Sequence, residues 1–195
     1  MDTLKLLKAA TNDSAEFMKK KMKAMLENPH VDDSRKNNEN LFYPNEADFV
    51  AELYHSIRTK LGANSKFLIL EGSPYIDKKL KIRPDLSYRD RTKSKGFVAE
   101  VKTITKNYKE LPYLDSPYLT EREIDEIKPD CHALNALDKT FGIKVHIIIL
   151  TAYENGDQKV NNKKFETRTK NKLKCKHKII TAVALVKNTL ITKRL

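Results

Sequence analysis

Two acids and a lysine near the middle of this sequence have types and a spacing that could support phosphodiester hydrolysis. Asp85 follows an Arg-Pro pair, and Glu100 and Lys102 flank Val101 in a second strand-like segment. Residues two apart in an extended strand point to the same side, so Glu100 and Lys102 share a face while Val101 points away from it. A turn between the two segments would place Asp85 beside Glu100.

The chemistry expected of such a group depends on a metal ion. Two carboxylates brought close together repel unless a cation lies between them. Oxygen ligands with water suit Mg²⁺, and Mn²⁺ can substitute. The ion would activate water and polarise a phosphoryl oxygen, while Lys102 would position the water or stabilise developing charge. The competing interpretation is that Asp85 and Glu100 are ordinary strand-end charges paired with Arg83 or Lys102.

Hydrophobic periodicity predicts the elements that must position these residues. The expected order is a helix over 2–27, a polar linker over 28–44, a helix over 45–61, strands over 66–70, 80–88 and 96–105, a crossover helix, a strand over 144–151, a polar basic loop over 153–171 and a final strand over 172–187. The first helix could be divided at Asn12 or Asp13. This order predicts a mixed α/β plan in which the crossover helix returns the 144–151 strand parallel to the sheet.

Ahead of the crossover helix, which is expected over 130–141, a shorter helix begins at a capping box formed by Thr120 and Glu123 and runs through Ile127. It is expected to stop or kink at Pro129, since proline inside a helix removes a hydrogen bond and clashes with the preceding turn. A second helix is expected to run from Asp130 to Gly142.

The helix over 45–61 supplies a third candidate acid. Asn45 is its expected N-cap, and Gly62 follows its last periodic residue. Its apolar stripe consists of Val50, Leu53, Ile57 and Leu61. Glu46 lies four residues before the first member of the stripe, so it projects along the buried edge of the helix. Its ordinary interpretation is a first-turn acid favoured by the helix dipole, and Glu71 is the reserve candidate.

Pro84-Asp85, then fourteen residues, then Glu100-Val101-Lys102 resembles the motif of the PD-(D/E)xK nuclease superfamily, which includes restriction endonucleases, repair nucleases and resolvases. The resemblance implies a restriction-endonuclease-like core, a mixed central sheet flanked by helices, over 45–195, with residues 1–44 as an N-terminal helical arm and linker. It implies that Asp85, Glu100 and Lys102 are catalytic and that a first-helix glutamate, at the position of Glu46, completes the metal site. The Val101 backbone carbonyl would be a further metal ligand.

Basic residues predict an anionic partner, because the formal net charge is +12. Lysines alternate with other residues over 170–178, which in a strand would line one side and track phosphates. Protection of an edge strand is the competing explanation. The proposed nucleic-acid contacts are Arg89, Arg91, Lys93, Lys95, Lys163, Lys164, Arg168, Lys170, Lys172, Lys174 and Lys176.

The function that these features favour is a Mg²⁺-dependent endonuclease acting on double-stranded DNA, of restriction type or from a phage or mobile element. The alternatives are a nucleic-acid-binding protein without catalysis and an RNA endonuclease of the same fold. A homodimer would allow one site per subunit to cut each strand. Cys131 and Cys175 are interpreted as two lone thiols of a soluble, cytoplasmic protein, His55 and His146 have no partner at metal-ligand spacing, and no apolar run is long enough to span a membrane.

Overall fold

A five-stranded mixed sheet forms the centre of the protein. The computed structural model describes residues 2–27, 44–70, 83–90, 95–106, 119–137, 142–154 and 162–187. The strands are β1 (Leu68–Leu70), β2 (Leu86–Asp90), β3 (Lys95–Lys106), β4 (Ile143–Glu154) and β5 (Lys178–Lys187), and they lie side by side in chain order. The first three strands pair antiparallel, whereas β3, β4 and β5 pair parallel. The predicted α/β class with a mixed sheet is therefore confirmed.

Helices cover both faces of this sheet. They are α1 (Thr3–Glu27), α2 (Glu46–Leu61), α3 (Glu121–Ala136) and α4 (Asn162–Leu173). The parallel connections between β3 and β4 and between β4 and β5 each contain one of these helices, α3 and α4, as a crossover requires. Both α1 and α2 pack on one face of the sheet, and α3 and α4 pack on the other.

The helix that was expected to form an N-terminal arm belongs to the main core. Leu7, Ala10 and Met18 of α1 are buried in the same apolar cluster as Leu53 of α2 and Ile147 of β4. The helix is also continuous, so the division considered at Asn12 or Asp13 does not occur.

The expected features of α2 are confirmed at both ends. The Asn45 side chain accepts a hydrogen bond from the Asp48 backbone N–H, and the Asp48 side chain accepts one from the Asn45 backbone N–H. Gly62 follows the helix with a positive φ of 54°. All four members of the predicted stripe are buried: Val50, Leu53, Ile57 and Leu61. These contacts fix where the helix starts and therefore where Glu46 lies.

The break predicted at Pro129 is wrong, because α3 continues through this residue to Ala136. Proline in a helix interior costs about 3 kcal/mol, so other contacts must offset this cost. The helix buries residues on both sides of Pro129 along one stripe: Ile124, Ile127, Cys131 and Leu134. Packing of this single stripe against the sheet keeps the two halves aligned.

The polar loop over 153–171 and the lysine-lined strand beginning at 172 are also corrected. Residues 162–173 form α4, and β5 begins only at Lys178. Phe165, Thr169 and Leu173 are buried at intervals of four, which is the helical spacing that the alternating lysines concealed. The helix ends at Leu173, and the next residue, Lys174, adopts a left-handed φ of 50°. Lys170, Lys172, Lys174 and Lys176 therefore do not lie along one strand face.

No helix within the described ranges is long and apolar enough to cross a membrane.

We predict that Asn45→Ala lowers the free energy of unfolding by about 1 kcal/mol, because the Asp48 backbone N–H loses its acceptor. Urea denaturation measured by circular dichroism would show a lower midpoint with an unchanged m value. Asn45→Asp is the matched control, since it keeps an acceptor oxygen at the same position. A loss of equal size in both variants would contradict this role of the cap.

Candidate active site

Asp85 and Glu100, here called the carboxylate pair, are brought together by the register of two strands. Leu86 is paired with Ala99, so Asp85, just before β2, lies opposite Glu100 in β3. The Asp85 Oδ2 atom accepts a hydrogen bond of 2.7 Å from the Val101 backbone N–H. The two carboxyl groups are also close enough for the charge of Asp85 to raise the pKa of Glu100. The predicted proximity of Asp85 and Glu100 is therefore present in the fold.

The alternation expected along β3 is observed. Ala99 and Val101 pack into the cluster beneath α1 and α2. Val98 packs on the opposite face, against Leu134 of α3. Glu100 lies on this second face and is only 8% exposed. A carboxyl group has thus been placed in a largely dehydrated position between the sheet and the crossover helix.

The electrostatics of the pair disfavour ionisation of both acids at once. Burial raises the pKa of Glu100 to about 9, and repulsion from Asp85 and then Asp130 contributes to this rise. Burial also raises the pKa of Asp85, although its hydrogen bond from the Val101 N–H acts in the opposite direction. Two acids that resist ionisation in one pocket are the arrangement that a bound cation relieves.

Lys102 and Glu46 form an ion pair beside the carboxylate pair. The Lys102 Nζ atom lies 3.3 Å from Glu46 Oε2. The pairing of β2 with β3 ends at Ala99. From Glu100 onward, the edge of β3 that faces β2 therefore has no partner among the described strands. The first turn of α2 reaches β3 at this unpaired edge. Glu46 also contributes to the raised pKa of Asp85, so the position that the motif resemblance implied does lie within electrostatic range.

Asp130 is a further acid of this site that the sequence interpretation missed. Burial raises its pKa, and the charge of Lys102 acts in the opposite direction. Asp130 follows Ile127 by three residues and precedes Leu134 by four, so it lies on the sheet-facing stripe of α3. That spacing was visible in the sequence, but the expected break at Pro129 placed Asp130 at the start of a separate helix.

At this site the described residues supply two adjacent carboxylates and not a complete set of metal ligands. Among the described residues, no three carboxylates have ligand oxygens all within 4.8 Å of one another. Asp130 and Glu46 therefore act on the pair through their charge. Oxygen donors with room left for water form the donor set that Mg²⁺ prefers, so the residues present fit this ion.

A groove runs from the site along the end of β3. It has a volume of about 460 Å³ and lies between β3 and the first half of α3. Its lining includes Lys102, Lys106, Thr120 and Arg122. Lys106 is held by an ion pair with Glu123 of α3. The groove thus leads from Lys102 to the beginning of the crossover helix.

The residues proposed to contact nucleic acid differ in their exposure to solvent, and some lie outside the described residues. Arg91 and Lys93 lie outside the described residues, as does the reserve acid Glu71, and the side chain of Lys95 is also outside them. Those exposed to solvent are Arg89, Lys163, Lys164, Lys170, Lys172, Lys174 and Lys176, while Arg168 is half-buried. Lys170 pairs with Glu166, and Lys172 pairs with Glu121 at the start of α3. The basic residues from 163 to 176 are therefore next to the helix that borders the groove.

The interpretation of the cysteines and of His146 is corrected. Cys131 and Cys175 form a disulfide and are not lone thiols. His146 faces the same sheet side as Glu100, with which it is paired in the β3–β4 register, and it lies 3.7 Å from the Cys131 sulfur. These residues are distant in sequence, which is why no short spacing motif revealed them.

Comparisons of this chain with protein-family models, curated proteins and solved structures find no match.

We predict that Glu100→Gln changes how stability depends on pH in the metal-free protein. Glu100 keeps its proton up to a pKa of about 9 in the native state, whereas the unfolded chain releases it near pH 4.3. The free energy of unfolding therefore falls as pH rises between these values, by at most about 1.4 kcal/mol per unit for one proton. The variant removes this contribution, so we expect it to lose less stability than the wild type over that range.

Urea denaturation in the presence of a chelator, between about pH 7 and pH 9, would measure this difference. The two buried histidines do not contribute to the pH dependence of stability in this range, because burial lowers the pKa of His146 to about 3 and that of His177 to about 4. Their contribution to stability changes with pH only below about pH 6.5, the ordinary pKa of histidine. Parallel curves for the wild type and Glu100→Gln would show that Glu100 is ionised in the native protein.

Proposed function

We propose that this protein is a metal-dependent endonuclease that hydrolyses phosphodiester bonds in DNA. The observation that carries the proposal is the carboxylate pair, buried beside Lys102 at the point where the pairing of β2 with β3 ends. Burying two acids together without a compensating charge is costly. A functional requirement for a cation gives a physical reason for this arrangement.

The order of elements supports the resemblance to the PD-(D/E)xK superfamily. A helix, three antiparallel strands, a crossover helix and a parallel strand follow one another from α2 to β4. This is the order that a restriction-endonuclease-like core implies. On this proposal α1, α4 and β5 extend that core.

Mg²⁺ or Mn²⁺ would be held by Asp85 and Glu100, with the Val101 carbonyl as a backbone ligand. In a β-strand the N–H and C=O of one residue point to the same side. Since the Val101 N–H is directed at Asp85, its carbonyl faces the same unpaired edge. The bound ion would supply Lewis acidity toward a phosphoryl oxygen and activation of water.

Lys102 is the residue of this site that can stabilise an oxyanion directly. Its ammonium group lies on the same strand face as Glu100 and is paired with Glu46. Glu46 would hold this side chain toward the pocket until a phosphate approaches, and the ammonium would then donate to a phosphoryl oxygen or orient water. Asp130 adds negative charge on the α3 side and so favours cation retention.

The groove beside Lys102 and the basic residues near α3 would bind the sugar-phosphate backbone. Lysines contact phosphates as point charges, which gives affinity without sequence readout. Arg122 at the groove and Lys174 beyond α4 lie on this side of the sheet. The groove also holds Glu123 and Glu126, which pair with Lys106 and Arg122, so the exposed lysines around α4 would supply most of the net positive charge that a backbone meets.

We predict that Asp85→Asn and Lys102→Met each reduce Mg²⁺-dependent plasmid cleavage by at least about 100-fold. Asparagine keeps an acceptor for the Val101 N–H, so the hydrogen bond to the strand is retained while the charge is removed. Asp125→Asn is the matched control, because Asp125 is an exposed acid on α3 that pairs with Lys128. Gel analysis of supercoiled DNA with Mg²⁺ and with a chelator would measure the rates.

Cleavage that persists unchanged in both variants would remove the assignment of this site. RNA of matched length belongs in the same assay, since preferential RNA cleavage would change the substrate class but not the site. Salt-sensitive retention of DNA, with no cleavage in any divalent ion, would instead identify a binding protein without catalysis.

We predict that DNA binding depends on the basic residues near α4. The test variant combines Lys163→Gln, Lys174→Gln and Lys176→Gln in an Asp85→Asn background. It should make the slope of log binding constant against log salt concentration shallower. The slope should change by about one for each of these lysines that binds a phosphate in the wild type. The matched control changes three exposed lysines of α1, on the other face of the sheet: Lys5, Lys8 and Lys20. Equal effects of the two triple variants, measured by fluorescence anisotropy, would show only a general dependence on net charge.

A further inference from the structure

A second group of metal-ligating residues lies beside the carboxylate pair, on the same face of the sheet, since His146 of β4 is the register partner of Glu100. Cys131 of α3, His146 of β4, and Cys175 and His177 of the segment between α4 and β5 come together on one side of the sheet. We call these four residues the Cys/His cluster. The Cys131 sulfur and one nitrogen from each histidine lie within 4.8 Å of one another. Among the described residues, this is the one trio of histidine, cysteine or acid side chains with that geometry.

Both histidines have a nitrogen that no protein atom satisfies. The Nε2 atoms of His146 and His177 are buried and have no hydrogen-bond partner, and His146 is 0% exposed. A buried polar atom without a partner costs about 1–3 kcal/mol. Two such atoms on the histidines of one cluster indicate that the cluster is suited to bind a ligand.

The orientation of His177 supports metal binding rather than another hydrogen bond. Its Nδ1 atom lies 3.0 Å from the side-chain oxygen of Asn135 on α3. Because a carbonyl oxygen only accepts, Nδ1 must be the protonated nitrogen, and Nε2 of the neutral ring carries the free lone pair. Metal-ligating histidines are commonly oriented in this way, by donation from the other nitrogen to an oxygen.

We propose that, when the disulfide is reduced, Cys131, His146 and His177 bind a zinc-class divalent ion, with Cys175 as the fourth ligand. Thiolate and imidazole donors favour zinc over magnesium. Ligands of a tetrahedral zinc ion lie about 3.5 Å apart, so the donor atoms of Cys131, His146 and His177, which lie within 4.8 Å of one another, need to close only modestly. The Cys175 sulfur would have to move away from that of Cys131 after the disulfide is reduced. This site is independent of the proposed nuclease activity and chemically distinct from the carboxylate pair.

The disulfide and the ion exclude each other. A phosphine reductant breaks the Cys131–Cys175 bond by transferring two electrons to the sulfurs, and it takes up an oxygen atom from water to become the phosphine oxide. The two protons of that water are transferred to the sulfurs, one to each. Metal binding then displaces both protons to solvent and leaves two thiolates on the ion. Reoxidation by a disulfide compound would release the ion.

The test uses the full chain, reduced with a phosphine and then freed of reductant without air, and titrated with Co²⁺ as a spectroscopic probe. Excess Mg²⁺ is present to occupy the carboxylate pair. We expect one Co²⁺ per chain, a sulfur-to-cobalt charge-transfer band and the intense visible absorption of tetrahedral cobalt, all displaced by Zn²⁺. The oxidised protein should show none of these bands. Their absence from the reduced protein would overturn the proposal.

Variants assign the ligands. His177→Ala and Cys131→Ser should each weaken Zn²⁺ binding by at least about 100-fold, since loss of an outer-shell partner alone costs about 10- to 100-fold. His132→Gln is the matched control, because His132 is exposed and adjacent to Cys131 on α3. Circular dichroism of the metal-free reduced proteins checks folding, and His177 is only half-buried, so its variant remains informative if Cys131→Ser fails to fold. Affinity equal to wild type in a folded His177→Ala variant would exclude the site.

Discussion

The repulsion between Asp85 and Glu100 is the constraint around which this part of the molecule is arranged. The β2–β3 register places the two carboxyl groups together, and burial then raises the pKa of both. The surroundings compensate only in part: the Val101 N–H donates to Asp85, and Lys102 lies nearby on the same strand face as Glu100. Without a cation the pair therefore disfavours ionisation of both acids and Glu100 keeps its proton, and a cation that replaces this proton is the simplest physical explanation of the arrangement.

Much of this arrangement could be predicted from local patterns. The caps of α2, its buried stripe and the alternation along β3 follow from rules that act over a few residues, so Glu46, Asp85, Glu100 and Lys102 were all identified. These rules also favour the mixed sheet, because parallel strands need a crossover connection and a helical pattern lies between the third and fourth strands. The motif and its spacing were thus sufficient for the centre of the candidate site.

The missed features depend on packing between distant segments. Proline weakens a helix locally, but the stripe shared by Ile127 and Leu134 keeps α3 continuous and places Asp130 at the site. Alternating lysines suggested a strand, yet the burial of Phe165 and Leu173 against the sheet fixes a helix. The Cys/His cluster needs residues from positions 131 to 177 and has no short spacing that could reveal it.

The two groups of functional side chains also differ in how early they can assemble during folding. Asp85 and Glu100 belong to adjacent antiparallel strands, which need only a short chain closure to meet. His146 and His177 come together only after the crossover from β4 through α4 to β5 has docked, and contacts of such sequence separation form slowly. The pairing of β2 with β3 can therefore bring the two acids together while they are still hydrated, and their proximity becomes costly only when the assembled sheet and α3 bury Glu100.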